Sequence, residues 1–278
     1  MGTPGTLTKA QMGFSLPVDA PLYDPLPICY EDVSMMLFDY LTDAKAAAAL
    51  LPAPLELLDV PGQPNLALVK LLFAQYPWTT LGPYNEVAQA LPCTYKGQPL
   101  LYAVRLHVTA DTALTAGREL GGFPKKLGHI EYSQEEGYFC HLERPRGLRI
   151  CTGVLKPTKQ LFTIPLPAGP IPTLPSPFNM TMPLPPATGK PMPVVLPFAS
   201  LRVIPNPPPN AAPALVQLIH TTWLLDRGEI WAGTGSCQLT GASALDPYHK
   251  LPVLGPVDCL LFLGDMQITA DASVLLNL

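Results

Sequence analysis

Two lysines side by side, Lys125 and Lys126, directly follow Pro124 in a chain of 278 residues whose charged content is only 14%. A lone lysine titrates near ~10.4, so its amine is protonated at neutral pH and cannot attack a carbonyl. Two unit charges about 4 Å apart repel by roughly 4 kcal/mol at an effective dielectric of 20. An ammonium held beside another therefore sheds its proton more readily, and an apolar pocket pushes the same way. That is one route from a surface base to a Schiff-base nucleophile. A pair of solvated turn lysines is the plainer reading of the same dipeptide. If the backbone is extended there, the two side chains point to opposite faces and only one can occupy a pocket. Residue physics alone does not choose which.

The flanking residues carry more. G-R-E-L-G-G-F-P-K-K-L-G, from Gly117 to Gly128, resembles the lysine motif of the acetoacetate decarboxylase family, with Phe123 at its aromatic position. P-A-P-L-E at Pro52–Glu56, G-P-Y-N-E at Gly82–Glu86, I-P-N at Ile204–Asn206 and E-I-W-A-G at Glu229–Gly233 resemble further family segments in family order. The resemblance implies that Lys125 forms the imine and that Lys126 is its electrostatic partner. It implies that Glu86 is a general acid or base near the reacting carbon and that Phe123 lines the substrate pocket. It implies no cofactor and no metal, because the lysine is itself the electron sink, and assembly into tetramers or larger homo-oligomers. Without the resemblance, Glu86 reads equally well as a surface loop residue.

The sequence departs from the family at two places. The arginine that relatives carry before their first helix falls on Val33, and a second glutamate falls on Leu72. A pocket lacking both should be more apolar, with room for a larger substrate, and the case weakens for acetoacetate itself and for decarboxylation in general. His107 falls where relatives face the pocket, and Arg105 shares its parity on a regular strand. His107 is then a candidate proton shuttle and Arg105 a candidate for a substrate carboxylate. Otherwise they are a satisfied half-buried histidine and a rim salt bridge. Tyr248 and His249, in a D-P-Y-H turn, are further substrate-binding candidates. Arg118 and Glu119 read as a structural pair fixing the lysine loop, and Trp223 and Trp231 as core or wall.

These residues need a scaffold. Thr42 is a plausible N-cap for an alanine-rich helix over Lys45–Leu51 that Pro52 stops. Strand patterns cover Leu66–Tyr76, Leu100–Ala110, Tyr138–Glu143, Leu148–Leu155, Leu201–Ile204, Ala214–Leu225, Glu229–Thr240 and Val257–Ala270. Many strands and few helices point to a mostly β (α+β) fold, an antiparallel sheet closed or curled on itself. The resemblance sharpens this to a closed or cone-like β-barrel with a few peripheral helices. Residues 157–213 hold 18 of the 36 prolines. Their apolar members Phe162, Ile164, Phe178, Met180, Met182 and Met192 favour an ordered excursion across the barrel over a linker. One domain over residues 1–278 is expected.

The net charge is −4 with no basic run, which argues against nucleic acid. No stretch has the roughly 18 uncharged apolar residues of a membrane helix, and the N-terminus does not read as a secretory signal. Six scattered cysteines without C-x-x-C spacing read as reduced and mostly buried in a cytoplasmic protein. No histidine spacing suggests a metal. Three readings result. The first is a cofactor-independent lyase working through a Lys125 imine on a β-keto acid or related carbonyl compound, a polyketide-like one among them, by decarboxylation or by aldol or dehydration chemistry. The second is a non-covalent cyclase or isomerase using His107 or Glu86. The third is a binding protein that keeps the fold without catalysis.

Overall fold

A computed structural model describes residues 2–13, 15–165, 193–207 and 211–278. In chain order the strands are β1 (Ile28–Asp43), β2 (Glu56–Leu57), β3 (Leu66–Tyr76), β4 (Trp78–Thr79), β5 (Tyr84–Tyr95), β6 (Gln98–Val108) and β7 (Lys125–Leu127). There follow β8 (His129–Gln134), β9 (Tyr138–Glu143), β10 (Arg149–Ile164), β11 (Val194–Ile204), β12 (Leu215–Leu239), β13 (Val257–Ile268) and β14 (Ser273–Asn277). The two α-helices are α1 (Ala44–Ala48) and α2 (Asp111–Glu119).

Neighbouring strands run β11-β6-β5-β3-β1-β13-β12-β10-β9-β8, and β11 also pairs with β12. Nearly all pairings are antiparallel. The exceptions among the described residues are β6–β7 and β6–β11, which are parallel. The 25-residue β12 spans both strand patterns expected on either side of Arg227. A register slip between Leu225 and Arg227 lets it bend without breaking. There Gly228 lies so close to β13 that a Cβ would sit 2.1 Å from the Leu263 carbonyl oxygen, which leaves glycine as the residue that fits.

Alternation sorts the wall residues to two cores. From β3 and β5, Leu72, Ala74, Tyr76, Tyr84, Ala88 and Ala90 join an inner cluster with Phe123, Phe198 and Trp223. The intervening Leu71, Phe73, Val87 and Leu91 pack outward against Ile130, Cys140, Leu142 and Ile150 of β8, β9 and β10. That second layer buries β1 on both faces.

Several expectations shift. The first helix is shorter than the alanine run suggested, ending at Ala48, and Asp43 rather than Thr42 caps it, accepting from the Ala46 amide at 2.7 Å. Residues 157–164 and 194–204 of the proline-rich stretch are strand, with Pro157 at a register slip of β10. Phe162 and Ile164 are buried in the inner core. Phe178, Met180, Met182 and Met192 lie outside the described residues. All six cysteines are free thiols and five are buried. Among the described residues no helix is long and apolar enough to cross a membrane.

Candidate active site

Helix α2 and the short strand β7 frame the lysine loop. The Phe123 amide donates to the Gly117 carbonyl at 2.9 Å, and the Lys125 amide to the Phe123 carbonyl at 2.7 Å. Arg118 Nη1 donates to the Lys125 carbonyl at 3.3 Å, so it does fix this loop. Glu119 instead accepts from Tyr23. Between helix and strand the chain turns at Gly122, whose φ of +68° a side chain rarely adopts. β7 then runs parallel to β6, with Lys125 beside Leu106 and Lys126 beside His107.

This register separates the lysines. Lys125 points inward and is 3% exposed. Its Nζ lies 2.8 Å from Glu86 Oε2, 5.5 Å from the centre of the Tyr84 ring and 5.8 Å from that of Phe123. Lys126 points outward, where its Nζ lies 2.9 Å from Asp246 Oδ1 and 2.5 Å from the Leu245 carbonyl. The expected electrostatic partnership is corrected accordingly. The charge of Lys126 is matched by Asp246 on the other face, and the charged neighbour of Lys125 is a carboxylate.

Glu86 is no loop residue. It stands in β5 with its side chain fully buried, and Tyr76 reaches Oε1 through a long 3.5 Å hydrogen bond. The contact of Oε2 with Lys125 lacks the angle of a hydrogen bond. Tyr30, Tyr76 and Tyr84 form a tilted aromatic set with centroids 4.8 to 6.3 Å apart, and the Tyr84 hydroxyl donates to that of Tyr30 at 3.2 Å. Burial raises all three phenols above their usual range, so they stay protonated. An ion pair in such surroundings is costly to assemble and is poor evidence of stabilisation. Its presence fits proton transfer between amine and carboxylate.

Tyr30, Leu81, Ala116, Gly117, Phe123 and Thr221 line the space beside Lys125. Leu72, Ala88, Leu106, Phe198 and Trp223 line a second space, and Phe123 of the first packs against Phe198 and Trp223 of the second. Val33 and Leu72, at the positions where relatives carry polar residues, are buried in the same apolar cluster. The wall around Lys125 is thus largely apolar.

Arg105, His107 and Tyr248 are not brought to Lys125. Arg105 and His107 do share a face of β6, but it is the outward one. Arg105 Nη1 donates to Gln89 Oε1 at 2.5 Å, and Gln89 Nε2 donates to the Tyr40 hydroxyl at 2.8 Å. His107 Nε2 meets Asp246 Oδ1 at 3.0 Å, while Nδ1 lies 3.1 Å from the Tyr248 hydroxyl. Arg144 Nε closes on Asp246 Oδ2 at 3.1 Å. Tyr248 is fully buried in this network, which braces the back of the wall. Trp223 belongs to the inner core, and Trp231 donates to Glu229 at 2.8 Å. Tyr76 and Thr221 escaped sequence reading as site residues, because single tyrosines and threonines carry no spacing signal.

The brace makes a pH prediction. Burial lowers the His107 pKa to about 4 despite Asp246, which pulls it up, with Arg144 and Lys126 opposing. Folded His107 is therefore neutral where unfolded histidine, near ~6.5, begins to charge. The stability it contributes is complete above about 6.5 and is lost as pH falls towards 4, by roughly 2 to 3 kcal/mol. Chemical denaturation of wild type and His107→Gln across this range should converge at acid pH. Parallel curves would refute the assignment.

The chain's similarities agree with this arrangement. The family described as Acetoacetate decarboxylase (ADC) matches residues 15–275. The decarboxylase DEC1 of Cochliobolus heterostrophus is 28% identical over 233 residues, 81% of this chain and 79% of that protein. An acetoacetate decarboxylase of Chromobacterium violaceum is 26% identical over 261 residues, 93% of this chain and 92% of that one. A solved acetoacetate decarboxylase shares the fold at a TM-score of 0.75 and 24% identity, over 98% of this chain and 99% of that one. The enduracididine biosynthesis enzyme MppR, solved with pyruvate, does so at 0.68 and 18%, over 95% and 98%. The chain thus belongs to the acetoacetate decarboxylase family and is a decarboxylase-like lyase.

Proposed function

We propose that this protein is a cofactor-independent Schiff-base decarboxylase for a β-keto acid, with Lys125 as nucleophile and Glu86 as its proton partner. The observation that carries the reading is the buried contact of 2.8 Å between Lys125 Nζ and Glu86 Oε2. Glu86 takes the ammonium proton, and Nζ attacks the ketone carbon. The carbinolamine loses water and leaves a protonated imine. Electrons of the bond to the carboxyl carbon flow into that imine, releasing carbon dioxide and an enamine. Glu86 gives that proton to the departing water, takes up another from solvent and is placed to deliver it to the α-carbon, and water hydrolyses the imine to free the ketone and the amine. Phe123 and the tyrosine set keep water scarce, which strengthens every charge interaction within.

Borohydride added with a ketone should reduce the imine and leave a stable adduct on Lys125, located by peptide mass. No adduct with any ketone would overturn the covalent route. The apolar Val33 and Leu72 favour a second outcome of the same enamine, attack on an aldehyde or dehydration, which product analysis distinguishes.

The architecture proposed for this chemistry is a closed barrel in one domain over residues 1–278. In its favour, the strand pairings β11-β6-β5-β3-β1-β13-β12 return to β11. A cytoplasmic homo-oligomer without a nucleic-acid or membrane partner is proposed with it, supported by exposed apolar side chains such as Leu245 and Leu127.

A further inference from the structure

Strand β12 sends two polar side chains into the inner core that no protein group among the described residues satisfies. Thr221 is 1% exposed and lines the space beside Lys125. Trp223, two residues on and on the same face, is 3% exposed and lines the second space. Thr221 Oγ1 and Trp223 Nε1 are both buried without a hydrogen-bond partner among the described residues. A buried indole N–H left unmade is expensive and native folds seldom keep one without use. Packing alone would be served by phenylalanine, since the ring already stacks on Phe198 at 4.6 Å and meets Phe123 at 6.2 Å.

Position gives the two groups different tasks. Residues i and i+2 of a strand stand roughly 6.5 to 7 Å apart. Thr221 shares its space with the amine and so sits beside the reacting centre. Lys125 Nζ is 5.8 Å from the Phe123 centroid, itself 6.2 Å from that of Trp223, so the indole is within about 12 Å of the amine. A ligand that satisfies both donors has one oxygen acceptor near the carbonyl that meets Lys125 and a second further along its chain. At Val33 and Leu72 the same wall offers nothing polar.

We infer that the substrate is a 3,5-dioxo acid, its carboxylate or ketone oxygen held by Thr221 and its second, more distant carbonyl accepting from Trp223. The inference rests on the β-keto acid reading above and adds to it a second oxygen along the chain. Trp223 would be a specificity residue, taking no part in bond making.

The test compares 3,5-dioxohexanoate with 3-oxohexanoate, which has the same chain length without the outer oxygen. The wild-type kcat/KM should favour the dioxo acid about tenfold, which equals ~1.4 kcal/mol. In Trp223→Phe the ratio of the two values should fall towards one. Thr221→Val should weaken both substrates alike and keep the ratio. A wild-type ratio near one overturns the inference, as does a Trp223→Phe enzyme that retains the preference. Should Trp223→Phe fail to fold, the wild-type ratio still decides. If borohydride traps no adduct with any ketone, the Schiff-base reading falls by itself. Calorimetric binding of the same two acids would then judge Trp223 separately, through their Kd ratio.

Discussion

Replacing Lys125 with alanine is expected to lower turnover of a β-keto acid by at least about 10⁴-fold, because among the described residues no other buried amine stands beside Glu86 to form the imine. The same change strands a buried carboxylate, and breaking a buried pair costs about 3 to 5 kcal/mol. A drop in activity could then be blamed on unfolding, and a second variant separates the two. Lys125→Met combined with Glu86→Gln removes both charges and keeps the volumes, so stability should return to within about 1 to 2 kcal/mol of wild type. Activity should stay lost. Denaturant midpoints and single-turnover rates measure the two effects independently. A non-covalent cyclase or isomerase predicts another pattern, in which Lys125→Met retains appreciable turnover while Glu86→Gln abolishes it. A binding protein predicts no turnover to lose and a ligand held without trapping.

The route from sequence to this site was open at some points and closed at others, for physical reasons. β3 reads correctly from Leu66 to Tyr76 because it follows its own alternation between two cores. β1 does not, because Val33 to Met36 are buried on both faces and so show no alternation of apolar and polar residues. Helix α2 has no side-chain cap at Ala110 and a glycine inside it, so it lacks the usual start signal. The alternation rule correctly put only one lysine of the pair in the pocket. It could not reveal that Lys126 finds Asp246, 120 residues away. For His107 and Arg105 the shared parity held and the face did not. Leu106 and Val108 take the inner face of β6, so Arg105 and His107 turn outward to Gln89 and Asp246. Parity tells which residues share a face and leaves open which face that is.

Gly117→Ala is expected to move activity and helix stability in opposite directions. A methyl group at this position of α2 would lie 2.5 Å from Lys125 Cδ, 2.6 Å from Cε and 3.2 Å from Nζ. The three nearest atoms all belong to the lysine stem, so the closest collision is with the nucleophile itself. Alanine favours a helix over glycine by about 0.8 to 1 kcal/mol, which offsets part of the crowding. The stem is confined between Tyr84, Phe123 and Glu86, so it can yield only by carrying Nζ away from its place. A displacement of about 1 Å at a reacting atom costs on the order of 10² in rate. Borohydride trapping should slow by a similar factor, while the thermal midpoint falls little or rises. The motif glycine then has a specific purpose, since its missing side chain is the slot in which the nucleophile lies. If Gly117→Ala trapped ketones at the wild-type rate, the stem would have to have another path to the substrate, and the 2.8 Å contact with Glu86 could not be the reactive arrangement.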